Sequence, residues 1–106
     1  MEQIIEDLGL DYVSECEDFP PYQLDIYIPE WHLDIEVDGP NHTPKHDAER
    51  TALLQSRYGI ESLHITMKEM ALGRAVVDER LLSFFESYAD TADERKAVYH
   101  EWRVSH

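Results

Sequence analysis

The sequence predicts an α/β fold, a mixed sheet of about four strands with flanking helices. Three observations predict it. Two short runs, Leu24–Ile28 and Leu33–Val37, alternate apolar and polar residues around a Pro29–Glu30 turn, the signature of a hairpin. A helical pattern from Pro44 to Tyr58 is followed by another strand-like run, Ile60–Thr66, so a crossover joins strands on its two sides. A long apolar stripe, Val77, Leu81, Phe84, Phe85 and Tyr88, marks a helix over Arg74–Tyr88.

Taken in order, Glu2–Leu8 reads as a short helix stopped by Gly9, with Ile4, Ile5 and Leu8 on its apolar side. Leu10–Cys16 reads as a strand and Glu17–Pro21 as a loop, since Pro20-Pro21 cannot continue a ladder. On the first hairpin strand, Leu24, Ile26 and Ile28 fall on one face and Asp25 and Tyr27 on the other. On the second, Leu33, Ile35 and Val37 oppose Asp34, Glu36 and Asp38. Thr43 reads as an N-cap and Pro44 as the first residue of the crossover helix. On the Ile60–Thr66 strand, Ser62, His64 and Thr66 share a face opposite Leu63 and Ile65. Thr66 with Glu69 forms a capping-box pattern for a helix to Leu72, closed by Gly73. Thr91 with Glu94 repeats the pattern and opens a last helix to about Arg103, whose Val98 and Trp102 dock on the body.

The 106 residues are expected to make one domain, and the 42% hydrophobic content supports a modest core. No apolar run is long enough to span a membrane, and no signal-peptide pattern is present. One cysteine, Cys16, excludes an internal disulfide framework and a cysteine-based zinc site, so a cytoplasmic setting is the default. Cys16 lies in an acidic SECED run, which disfavours a thiolate, and it reads as structural or incidental. The formal net charge is −14, and no Lys or Arg precedes Lys45. Nucleic-acid binding rests on Lys and Arg neutralising phosphates, so this chain is not built to hold DNA alone.

The chemistry-bearing residues crowd into Tyr22–Arg50. If the hairpin strands pair antiparallel, Asp25, Glu36 and Asp38 meet above the sheet, and clustered carboxylates invite a hard cation such as Mg²⁺ or Mn²⁺. The plainer reading is a solvated acidic face. Beyond the strand break at Gly39-Pro40-Asn41 comes His42, and Asp47 in the next helical turn is placed to reach back to it, a pairing that suits general base catalysis. Lys45, Arg50 and Arg57 form a basic stripe that suits either phosphate contact or ion pairing with the acids. His46 suits a phosphate or water contact, and His64 a core or groove-facing role. Trp31 suits base stacking or a plain turn position.

Asp25, the run Ile35–Gly39 (IEVDG), His42, Asp47, Arg50 and a helix ending at Gly59 together resemble the very-short-patch-repair-like branch of the PD-(D/E)xK nucleases, and within it the EDxHD homing endonucleases. The resemblance covers roughly Gly9 to Thr66. It implies a restriction-endonuclease-like core plus C-terminal helices. It implies that Asp25 and the backbone carbonyl of Val37 bind Mg²⁺, for which Mn²⁺ substitutes, and that His42 and Asp47 are catalytic. The leading Glu is matched by Glu2, one helical turn closer to Gly9 than the family pattern, or lies upstream of Met1. Glu36 and Asp38 are secondary candidates for metal or water contact, and Lys45 and Arg50 for DNA. The wider superfamily has Lys where this chain has Asp38, which favours a histidine-based variant.

The resulting expectation is a metal-dependent DNA endonuclease domain, a fragment of a longer protein whose DNA-binding domain lies elsewhere, working in the cytoplasm of a bacterial or phage-infected cell with DNA, and no membrane, as its partner. A homodimer would serve double-strand cleavage. Two alternatives stand beside it. One is a mismatch-type nicking repair endonuclease, which in this branch carries a Cys/His zinc site that a chain with only Cys16 cannot build. The other is a non-catalytic acidic nuclease fold that mimics the charge of DNA.

Overall fold

A computed structural model describes residues 1–39 and 44–106. It is an α/β fold with one four-stranded mixed sheet flanked by helices. The elements run α1 (Glu2–Asp7), β1 (Val13–Phe19), β2 (Tyr22–Ile28), β3 (Leu33–Asp38), α2 (Pro44–Leu53) with a π-helical turn Leu54–Tyr58, β4 (Glu61–Thr66), α3 (Met67–Leu72), α4 (Arg74–Tyr88) and α5 (Ala92–Ser105). The strands lie in the order β1-β2-β3-β4. The first two pairings are antiparallel and the last is parallel, Asp34 opposite Ser62 and Glu36 opposite His64. Among the described residues no helix is long and apolar enough to cross a membrane.

Two apolar layers cover the sheet. On one side Ile26, Ile28, Leu33, Ile35, Leu63 and Ile65 pack under α1 and α4, which contribute Ile5, Val77, Leu81, Phe84 and Phe85. The expected α4 stripe is therefore the face that covers the sheet. On the other side Cys16, Phe19 and Leu24 meet Leu54, Tyr58 and Ile60, with Tyr99 and Trp102 of α5 closing over them. Burial pushes the Cys16 thiol pKa up, in keeping with a structural role.

Several expectations needed correction. The first strand begins three residues later than Leu10 and runs on to Phe19, because it pairs with β2 through Phe19↔Tyr22. Leu24 does not share a layer with Ile26 and Ile28; it packs with Cys16 in the second layer. Glu15 has a left-handed φ of 50°, and the β1–β2 register shifts between Cys16 and Phe19, so the pairing beside Leu24 is irregular and simple alternation does not carry through. The β2–β3 turn extends to His32, whose φ is 58°. Thr66 and Glu69 form the expected capping box. Thr91 does not cap α5: its hydroxyl donates to the Tyr88 carbonyl and accepts from Arg95 Nε.

Arg95 is a buried clasp, donating to the His32 carbonyl at 2.8 Å and to the Tyr88 carbonyl at 2.6 Å. His32 is buried too. Its Nε2 lies 2.8 Å from the Tyr58 carbonyl, which only accepts, so Nε2 carries the proton and Nδ1 accepts from the Tyr27 hydroxyl. Burial lowers the His32 pKa to about 4. Gly59 closes the π-helical turn at φ 72°, and a Cβ there would sit 2.3 Å from the Arg95 carbonyl oxygen. The position needs glycine for its backbone and for the approach of α5.

Candidate functional site

The acids of β3 alternate along one face of the sheet, under α2, and the site is built around that row. Asp34 is 0% exposed. A carboxylate at that depth needs donors, and two reach it: Arg50 Nη1 at 2.8 Å and Ser62 Oγ at 2.9 Å, both on Oδ2. Arg50 Nη2 donates to Glu36 Oε1, which also accepts from the Asp25 backbone N–H at 3.3 Å. The guanidinium stands over the Tyr22 ring, 5.7 Å from its centroid. Burial first, then the negative charge of Asp34, push the Glu36 pKa up to about 9, with Arg50 opposing. One guanidinium serves both acids of the inner half of the row, and among the described residues Asp34 Oδ1 alone is left buried without a hydrogen-bond partner.

The outer half is different. At the end of β3, Asp38 Oδ1 lies 3.0 Å from His64 Nδ1 of β4. His64 Nε2 is 3.5 Å from Thr51 Oγ1 of α2. Asp47, in the first turn of α2, joins them: one ligating atom from each of Asp38, Asp47 and His64 lies within 4.8 Å of the others. Residues three and four apart share a helix face, so Asp47, Arg50, Thr51 and Leu54 all look at the sheet.

The opposite side of β3 holds a separate cavity of about 460 Å³. Glu2 of α1, Asp25 of β2 and Val37 of β3 line it, with Ser14 and Glu15 at the edge of β1. Asp25 is exposed and lies one residue beyond the last β2–β3 pair, Ile26↔Ile35, where the ladder opens. Glu2, Asp25 and Val37, distant in sequence, thus share one wall of space.

Glu2, Asp25 and Val37 come together. Glu36, expected near a metal or its water, accepts instead from Arg50. Asp38 faces away from that cavity, toward His64 and Asp47. Of the two roles open to Arg50, the structure shows the ion pair: its side chain is 12% exposed and spans Asp34 and Glu36. Lys45 is exposed in the first turn of α2, as is His46. His42 and its pairing with Asp47 lie outside the described residues. Trp31 is a half-buried turn residue packed on Phe85 at 4.9 Å between centroids, the plainer of its two readings.

Sequence reasoning missed the role of Asp34 and did not consider His32. The spacing of Asp47, Arg50 and Thr51 was a usable signal, since it aims Arg50 at the strand acids. The depth of Asp34 was not, since it depends on how α2 lies across the sheet.

No family model, no curated protein and no solved structure matches this chain.

Proposed function

We propose that this chain is the catalytic domain of a metal-dependent DNA endonuclease that hydrolyses phosphodiester bonds, of the EDxHD homing-endonuclease kind. The observation that carries the reading is the convergence of Glu2, Asp25 and Val37 on one open cavity. The donors fit a hard divalent cation, because the described residues that line it include the carboxylates Glu2, Glu15 and Asp25 and, among the described residues, no histidine or cysteine. Asp25 and the Val37 carbonyl would hold Mg²⁺ or Mn²⁺, which supplies Lewis acidity toward the phosphate when bound. Glu2 stands at the same wall to position water or metal. His42 accepts the proton of the attacking water, and Asp47 orients its ring. Arg50 fixes α2 on the sheet through Asp34 and so sets where Asp47 stands.

The acidic balance supports a division of labour in which a DNA-binding domain elsewhere supplies affinity by tethering. Lys45 remains a candidate phosphate contact, and a homodimer would allow cleavage of both strands. The −14 charge also favours a second reading, a non-catalytic nuclease fold that mimics the charge of DNA.

Calorimetric titration separates the two readings. The parent should bind Mg²⁺ in the millimolar range, and Asp25→Ala should lose that binding while melting at the parent temperature. Kinetics then test the histidine pair. His42→Ala should lose on the order of 10²–10⁴-fold in rate. Asp47→Asn should lose part of that, and the double variant little more than His42→Ala, because groups acting as a unit are not additive. Additive losses would leave the pair without support.

A further inference from the structure

We infer that Asp38, Asp47 and His64 form a second divalent-cation site, one that takes a transition-metal ion such as Zn²⁺ or Mn²⁺ in preference to Mg²⁺. The site goes beyond the proposed cleavage cavity: none of the residues lining that cavity belongs to it, and Asp47 is the one residue it shares with the proposed histidine pair.

Three separate elements build it. The parallel pairing of β3 and β4 sets Asp38 beside Thr66 and Glu36 beside His64, so the ends of both strands deliver side chains to the same place. The first turn of α2 then lays Asp47 over them. Their ligating atoms fall within 4.8 Å of one another, a spacing that a cation at bond distances of about 2.0–2.2 Å closes with small side-chain rotations. The surroundings hold these groups in position. Arg50, one turn along α2 from Asp47, is anchored to fully buried Asp34, which fixes the helix against the sheet. Thr51 Oγ1 stands 3.5 Å from His64 Nε2 and restricts the ring.

The donor set decides which ion. Carboxylate oxygens alone accept Mg²⁺ or Ca²⁺, but one imidazole nitrogen with two carboxylates suits Zn²⁺ and Mn²⁺ and gives Mg²⁺ no advantage. The His64 and Asp38 side chains are 24% and 12% exposed, so an ion there is partly shielded from water while still reachable. The chain charge of −14 adds long-range attraction for cations. The site also differs in place from the cavity at Asp25: Val37 and Asp38 are successive strand residues, and successive side chains take opposite faces.

The test is calorimetric titration of the metal-free chain with ZnCl₂, MnCl₂ and MgCl₂, alongside His64→Gln, Asp47→Asn and Asp25→Asn, each checked for folding by circular dichroism. Asp25→Asn, which lacks the proposed cleavage-cavity ligand, should bind Zn²⁺ at least tenfold more tightly than Mg²⁺ and within about threefold of the parent, so failure of the cleavage reading and failure of this one are told apart. His64→Gln and Asp47→Asn should each weaken Zn²⁺ binding by at least about tenfold, the scale on which even supporting residues of metal sites act. Nitrogen-15 spectra of the parent supply a measurement without substitution: Zn²⁺ should shift the ring nitrogens of His64 before those of His100 and His106. Zn²⁺ binding that survives both His64→Gln and Asp47→Asn, or that shifts other histidines first, would overturn the proposal, as would an Asp25→Asn chain that prefers Mg²⁺.

Discussion

The two halves of the β3 acid row make opposite uses of the same residue type. The inner acids, Asp34 and Glu36, are closed off by Arg50 and Ser62 and tie a helix to the sheet. The outer acid, Asp38, meets a histidine and a helix-borne aspartate at the open end of the strand. Depth separates them. A carboxylate at 0% exposure must bring its own donors, whereas one at the strand end is placed to exchange partners with solvent and ions. The inner half is therefore structure, and the outer half and the Asp25 cavity are where chemistry is to be sought.

Breaking the inner half should cost most. Arg50→Met removes the guanidinium that Asp34 and Glu36 share and leaves Asp34 buried with Ser62 as its remaining described donor. Loss of one partner from a buried pair costs about 3–5 kcal/mol, measurable by urea unfolding. A loss below about 1 kcal/mol would mean that the clamp is not structural. Arg50→Lys should rescue only part, since one ammonium cannot span two carboxylates as a planar fork does.

The pH dependence of stability should show the same inner half, measured with chelator present. Glu36 has a folded pKa raised to about 9, above its unfolded value, by burial and then by Asp34. Its contribution is fully present below the unfolded pKa and is lost as pH rises toward the folded one. Glu36→Gln mimics the protonated acid, so between about pH 6 and 9 it should flatten the parent's decline, which is at most about 1.4 kcal/mol per pH unit for one proton. His32 works in the other direction. Its folded pKa is lowered to about 4 by burial, so stability is present above about pH 6.5 and is lost as pH falls toward 4. An acid limb unchanged in His32→Gln would show that another group carries it.

The outer half should be nearly silent in stability. Asp38→Asn keeps the shape of the side chain and a carbonyl acceptor for His64, and should change unfolding free energy by less than about 1 kcal/mol. A loss as large as that of Arg50→Met would erase the distinction between the halves. DNA affinity should be the weakest signal: the isolated chain should bind duplex DNA without sequence preference, at or above the roughly 10⁻⁴–10⁻⁶ M range of nonspecific contacts.

Much of this arrangement was legible in the chain. Alternation placed Asp34, Glu36 and Asp38 on one face, and the stripe from Val77 to Tyr88 found α4, because both periodicities follow from local backbone geometry. The capping box at Thr66–Glu69 was found on the same grounds, whereas the identical pattern at Thr91–Glu94 failed because Arg95 engages the Thr91 hydroxyl for the turn at His32. What stayed hidden depended on tertiary placement. The layer of Leu24 goes with the irregular β1–β2 pairing between Cys16 and Phe19, the burial of Asp34 depends on α2, and the approach of His64 to Asp38 depends on the parallel register of β4. Of the site, alternation suggested that Asp25 would meet Glu36 and Asp38, whereas Asp25 shares a cavity with Glu2 and Val37, and Arg50 ties the inner acids to α2.

Cleavage of supercoiled plasmid by the parent and by Asp25→Asn, in Mg²⁺ and in chelator, tests the central proposal most directly. The expected result is slow, sequence-independent conversion to open-circle or linear DNA by the parent in Mg²⁺, none in chelator, and none by a folded Asp25→Asn. Cleavage by Asp25→Asn within a few-fold of the parent would contradict the account, and so would a folded, Mg²⁺-loaded parent that leaves the plasmid intact even when fused to a DNA-binding domain.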